Sequence, residues 1–266
     1  GLNILVAEDN KTNQVVIRKI LERENQNPNI VANAQLALDA LESNTFDLII
    51  MDMQMPVMGG IEAAKIYNSS TNIDHKAPII ILTANATIEA IQVCQDANVD
   101  AYLTKPIDIN ELRKTICRLS SHSSNTNNIH IENITEDGTT PKLAILDYQA
   151  LESLNHLSDD NNFVSTLIRD YLSDTKKQIS EMESAISSKQ YDLFRELLHA
   201  MKGSSGSVGA LRLHSQCAEN QHFNSDDSKY IHSLKNVSEV FAETEMLLSE
   251  YISNLNHYQP ISKENS

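Results

Sequence analysis

Apolar positions follow two regimes along this chain. Over residues 1–120 they form short unbroken runs, separated by stretches with a helical period, whereas from about residue 143 onward only the helical period remains. The runs are LNILVA at 2–7, LIIM at 48–51, PIIIL at 78–82 and DAYLT at 100–104. The run at 48–51 neither alternates nor reaches the length of a globular helix, a pattern that suits a central strand buried on both faces, and the other three are expected to lie beside it. A fifth, poorly marked strand is expected at 29–32. Helices are expected between and after them. Asn10 is placed to cap the first, whose inner face carries Val16, Ile17, Ile20 and Leu21. The others fall at 34–41, 60–67, 87–96 and 108–119. Five alternating strands and helices predict an α/β domain with a parallel sheet in the flavodoxin-like order 2-1-3-4-5.

The second half reads as helix throughout, with elements at 147–157, 159–188, 192–208, 211–223 and 227–258. The long second one carries Phe163, Leu167, Ile168, Tyr171, Leu172, Ile179, Met182 and Ile186 on one face. In the third, helical phase turns Leu193, Leu197, Ala200 and Met201 inward and leaves His199 leaning outward. The last is expected to bury Ile231, Leu234, Val237, Phe241, Leu248, Tyr251 and Leu255. Amphipathic helices with short connections make an antiparallel four-helix bundle. Between the halves lies SSHSSNTNNIHIENITEDGTTPK, too polar to pack and without a period. The expected division is therefore 1–120 for the first domain, 121–142 for a flexible linker, 143–258 for the bundle and 259–266 for a disordered tail.

Each apolar run of the first half stops at a reactive group. The first ends at Glu8-Asp9, the second at Asp52, the third at Thr83 and the fourth at Lys105-Pro106. Ligand crevices of open α/β sheets lie beyond the carboxyl ends of the strands. One Asp at a strand end is equally well explained as a cap of the next helix. Parallel strands side by side, however, would gather all five groups in one pocket. Three carboxylates held together repel one another unless a cation sits among them, and hard oxygen ligands favour Mg²⁺. A lysine and a hydroxyl aimed at the same point suit the oxygens of a phosphoryl group.

In their order and spacing, AEDN, DMQMPVMGG, LTAN and YLTKP resemble the receiver domain of two-component signalling, over roughly residues 1–120. The resemblance implies that Asp52 is the phosphoacceptor and Asp9 a direct Mg²⁺ ligand. Glu8 would act on the ion through water, and the Gln54 carbonyl would complete the protein ligands. It further implies that Thr83 and Lys105 contact the phosphoryl oxygens, that Tyr102 is an aromatic switch responding to Thr83, and that the Lys105-Pro106 bond is cis.

In the bundle the informative stretch is LHAMKGSSGSVGA, residues 198–210. Lys202 lies one turn after His199, within reach of an anion on its imidazole, and Gly203 shares the histidine's face without side-chain bulk. Glycine in a helix interior costs about 0.5–1 kcal/mol relative to alanine, so such a run needs a reason. A helix end followed by a Ser/Gly loop is one. The stretch is also similar to the histidine phosphotransfer (HPt) signature, over roughly residues 143–258. That resemblance implies His199 as the phosphoacceptor, Lys202 as its electrostatic partner and Gly203 as the clearance for a docking domain. His122, His130, His214, His222 and His232 lack such neighbours and read as ordinary loop, surface or core positions.

Composition narrows the partners. The 266 residues carry a formal charge of −15, which argues against nucleic-acid and anionic-membrane surfaces. Cys94, Cys117 and Cys217 have no metal or redox spacing and read as buried small hydrophobes in a reducing cytosol. No run is apolar enough to span a bilayer, and the chain, entering a strand at once after Gly1, reads as a segment of something longer. Receiver, linker and HPt in this order resemble the C-terminal part of bacterial hybrid sensor histidine kinases, more loosely the type that senses diffusible fatty-acid signals. No ATP-binding kinase core is found in the sequence. The expected function is a cytoplasmic phosphorelay, with an upstream kinase core and a downstream response regulator as partners. The setting includes the cytoplasmic part of an inner-membrane protein. The rival is a binding module that sequesters a partner when Asp52 is phosphorylated, with little transfer through His199. A sink that drains phosphate backwards from a regulator would use the same residues.

Overall fold

A computed structural model describes residues 1–70, 76–84, 87–120, 144–160, 162–219 and 227–257. The expected linker and tail, His122, His130, His222 and the last residues of the expected 211–223 helix lie outside them. The chain divides into two compact units, residues 1–141 and 142–266.

The first unit alternates strand and helix: β1 (Asn3–Ala7), α1 (Lys11–Arg23), β2 (Asn27–Val31), α2 (Ala34–Ser43) and β3 (Leu48–Asp52). It continues with α3 (Gly60–Ser69), β4 (Ile79–Thr83), α4 (Ile88–Asp96), β5 (Ala101–Thr104) and α5 (Ile109–Ser120). The sheet is parallel in the order β2-β1-β3-β4-β5. Every residue of β3 and β4 is buried, as unbroken apolar runs require. β2 is an edge strand and begins earlier than its composition suggests, because Asn27 and Pro28 pair in register with Asn3 and Ile4. Proline has no N–H to donate, and an edge strand tolerates the loss.

Register sets the working edge of the sheet. Ala7 lies beside Met51, Asp52 beside Leu82 and Thr83 beside Thr104, so the groups that end the runs emerge together. Asn10 caps α1, its Oδ1 accepting the Asn13 N–H at 3.1 Å, while Asn33 and Thr87 cap α2 and α4 in the same way. Gly60 opens α3 against the end of β3. A Cβ there would stand 2.2 Å from the Asp52 carbonyl oxygen, so glycine at this position answers a close approach of two backbones.

The second unit is helical: α6 (Tyr148–Asn155), α7 (Phe163–Ser187), α8 (Tyr191–Ser207), α9 (Leu211–Glu219) and α10 (Asp227–His257). α8 packs on α7 and α9, and α10 packs on both of these, closing the bundle. Gly209, with φ +72°, ends α8 beside Asp147, whose N–H donates to the Gly209 carbonyl at 2.7 Å.

Two helices depart from the phase that apolar spacing predicts, α8 along most of its length and α10 at its ends. The buried positions of α8 are Phe194, Leu198, Met201, Lys202, Ser204 and Ser205, while Leu193 is 39% exposed and Leu197 and Ala200 are half-buried. α10 buries Val237, Phe241 and Leu248 as expected, half-buries Leu234, Tyr251 and Leu255, adds Tyr230, Ser233, Thr244 and Ile252 to its inner face and turns Ile231 outward. The aromatic rings account for both shifts. Tyr230 stacks on Tyr191 at a centroid distance of 4.5 Å and meets the edge of Phe194 at 5.2 Å, and its hydroxyl accepts a 2.7 Å bond from Arg195 Nη1. Seating that ring brings Phe194 rather than Leu193, and Tyr230 rather than Ile231, to the inside. In α7, Ile179 and Ile186 are only half-buried, and Thr175 and Ala185 take inner positions. Cys94 and Cys217 are buried as expected, but Cys117 is exposed on α5.

Candidate functional site: an acidic pocket and a histidine helix

The acidic pocket forms where β1 and β3 end and the β5–α5 connection returns. Glu8 and Asp52 are buried, 1% and 4% exposed, and Asp9 is half-buried beside them. One carboxylate oxygen from each of the three lies within 4.8 Å of the others. Lys105 reaches in from the end of β5, and its Nζ donates to Glu8 Oε2 and to Asp52 Oδ2, each at 2.6 Å. Asp52 Oδ1 also accepts the Gln54 N–H at 3.1 Å. Thr83 is buried at the end of β4. Tyr102 is half-buried on β5, against the core cluster that includes Cys94 and Tyr67. The Lys105-Pro106 bond is cis.

Burial dominates the electrostatics. It raises the pKa values of Glu8 and Asp52, and the Lys105 ammonium works in the opposite direction for both. Asp9 is raised by burial and then by the Glu8 charge. For Lys105, burial disfavours the charge, but the Glu8 and Asp52 carboxylates override it and hold the ammonium above the ordinary lysine range. Three convergent carboxylates against one cation leave an excess of negative charge, and the donor set is all oxygen. These residues fit a hard divalent cation.

In the bundle, His199 is half-buried in the middle of α8 and Gly203 half-buried one turn on. Lys202, one turn after His199, is only 1% exposed. Burial lowers its pKa, and burial raises that of the nearby Cys217 thiol while Lys202 opposes the rise. His214 is no ordinary position either. Its ring Nδ1 lies 2.9 Å from the Lys202 carbonyl oxygen, and burial lowers its pKa. The spacing of His214 gave no sign of this, because the bond joins α9 to α8. Beneath them the Tyr171 hydroxyl bonds to Ser205 Oγ at 2.9 Å. Sequence reasoning also missed Asn13, whose buried amide donates to Glu8 Oε1 at 2.8 Å. An asparagine on the first turn of a helix carries no such signal.

Residues 4–117 match the response regulator receiver domain family and residues 166–250 the Hpt domain family. The chain is a receiver domain followed by an Hpt domain. Its relatives are histidine kinases of the hybrid type. The sensory/regulatory protein RpfC of Xanthomonas campestris pv. campestris is 26% identical over 225 residues, covering 82% of this chain and 30% of RpfC. The signal transduction histidine-protein kinase BarA of Escherichia coli K12 is 25% identical over 218 residues, covering 82% of this chain and 23% of BarA. The aerobic respiration control sensor protein ArcB of the same organism is 26% identical, covering 80% of this chain and 27% of ArcB. The chain therefore spans less than a third of the length of these relatives. Among solved structures it is similar to the receiver domain of a Pseudomonas aeruginosa PAO1 sensor histidine kinase, whose active-site cleft holds a magnesium ion. The two are 34% identical with a TM-score of 0.42, over 45% of this chain and 98% of that one. Receiver and Hpt domains with hybrid-kinase relatives support a role in a phosphorelay.

Proposed function

We propose that Asp52 accepts a phosphoryl group from a kinase phosphohistidine and that His199 exchanges it with the Asp of a separate response regulator. The observation that carries this reading is the convergence of Glu8, Asp9, Asp52 and Lys105 in one buried pocket. Asp9, Asp52 and the Gln54 carbonyl would hold Mg²⁺, with Glu8 behind them. When bound, the ion neutralises charge on the transferring group. An Asp52 carboxylate oxygen attacks phosphorus in line, the O–P bond forms as the donor's N–P bond breaks, and the imidazole regains its electron pair. Lys105 is already at the Asp52 oxygen and moves little to meet the phosphoryl oxygens. Thr83 would meet them from β4, and Tyr102 would respond from β5. In the bundle the neutral His199 imidazole is the nucleophile. Lys202 would stabilise its phosphorylated form from the buried side of α8, where a charge is little screened. Gly203 leaves room for the docking partner.

The partners are an upstream kinase core, in the same polypeptide or another, and a downstream receiver domain. We place the activity in the cytoplasm, where such partners work. Among the described residues no helix is long and apolar enough to cross a membrane. The test is a radiolabelled transfer time course with Mg²⁺ from a phosphorylated kinase core, comparing the full chain with Asp52→Asn and His199→Gln. Label should appear first as a base-labile acyl phosphate and then as an acid-labile phosphohistidine, both blocked by Asp52→Asn. Label that stays on Asp52 with a downstream receiver present overturns the relay and favours the binding module.

A further inference from the structure

We infer that Asn13, on the first turn of α1, is a positioning residue of the acidic pocket. Its amide holds the Glu8 carboxylate in the orientation that Lys105 and a bound cation require. The inference rests on the divalent-cation reading given above.

Glu8 is almost wholly buried, and its two oxygens are engaged in different directions. Oε2 accepts from Lys105 Nζ at 2.6 Å, while Oε1 accepts from Asn13 Nδ2 at 2.8 Å and from the Asn10 N–H at 3.3 Å. Asn13 is itself only 6% exposed. Its own N–H is fixed by the capping Asn10 side chain, and the neighbouring Gln14 amide donates to the Glu8 carbonyl oxygen at 2.6 Å. The first turn of α1 thus grips Glu8 by both side chain and main chain. A neutral donor suits this place. A carboxylate at position 13 would add to the repulsion already present, and a cation would compete with Lys105 for Glu8. An apolar residue would satisfy the helix but leave Oε1 with only the longer Asn10 bond. Without the amide, Glu8 is free to turn both oxygens onto Lys105 and draw the ammonium away from Asp52. Residues that orient a carboxylate beside a metal typically change metal affinity by about 10–100-fold when removed.

The experiment is a calorimetric titration of MgCl₂ into the full chain, for the wild type, Asn13→Ala, Glu8→Gln and the double variant. Thermal melts of each run alongside. Asn13→Ala is expected to weaken Mg²⁺ binding about tenfold. In the Glu8→Gln background the same substitution should change nothing further, because Asn13 acts through the Glu8 carboxylate. Asn13→Leu, which keeps the volume and removes the donor, makes the same comparison if the alanine variant fails to fold. A lowered melting temperature with unchanged Mg²⁺ affinity overturns the inference and leaves Asn13 a structural residue. Equal losses with and without the Glu8 carboxylate overturn it too. A wild type that takes up no Mg²⁺ overturns the cation reading itself, and this inference with it.

Discussion

The imidazole of His214 meets the main-chain carbonyl oxygen of Lys202 at 2.9 Å, tying α9 to the turn of α8 that follows His199. A carbonyl oxygen only accepts, so the neutral ring carries its proton on Nδ1. Burial holds the folded pKa below the ordinary 6.5, so the unfolded chain takes up a proton first as pH falls. This contribution to stability is complete above about pH 6.5 and is lost as pH drops from there toward the folded value. His214→Gln keeps an N–H donor and does not titrate. Urea unfolding followed by helix circular dichroism between pH 5 and 8 should show a steeper acid decline for the wild type than for this variant. Parallel declines would mean that His214 does not titrate on unfolding.

Lys105 compensates two buried carboxylates at once. Lys105→Ala strands both, and removing one partner of a buried pair typically costs about 3–5 kcal/mol. Unfolding at neutral pH should show a loss of that order, partly restored by MgCl₂, since the ion supplies the missing positive charge. A variant as stable as the wild type without metal would contradict this account of the pocket.

Gly60→Ala places a methyl group against main chain that has little freedom to yield. The added carbon would meet the Asp52 carbonyl oxygen at 2.2 Å and Met51 Cγ at 3.1 Å. We expect a loss of about 2 kcal/mol or more together with weaker Mg²⁺ binding, because relief of the clash moves the end of β3. Measuring both on one preparation separates the two effects.

Val57 sits in the left-handed region at φ +72° with its side chain fully exposed. A β-branched residue is disfavoured there, and asparagine is tolerated. Val57→Asn removes no packing and should stabilise the chain by about 1 kcal/mol in denaturant unfolding. A neutral or destabilising result would place an unrecognised contact at this turn.

Much of the molecule was legible in the chain itself. Three of the five strands announce themselves as apolar runs because both faces of β3 and β4 and most of β1 are buried, whereas β5 is mostly half-buried. Glu8, Asp9, Asp52 and Lys105 share a pocket because parallel register brings strand ends together, so a local pattern predicted a distant meeting. Other features had no local signature. The start of β2 depends on pairing with β1, and Pro28 hides it. The choice between Tyr230 and Ile231 as the buried position of α10 is made by Tyr191 and Phe194 on α8. Spacing reports that a helix has an apolar face, but adjacent apolar residues compete for it, and the ring that finds partners wins. The spacing of Lys202 from His199 does not reveal its burial, and the bond from His214 on α9 to its main-chain carbonyl joins residues twelve positions apart. The bond between Lys105 and Glu8 joins residues 97 positions apart, and the Asn13 amide that orients Glu8 is set by the start of α1. The sequence by itself determined which chemical groups stand at the strand ends and on the histidine helix. Their orientation, burial and charge balance were decided by tertiary structure, because each depends on hydrogen bonds and packing between elements far apart in the chain.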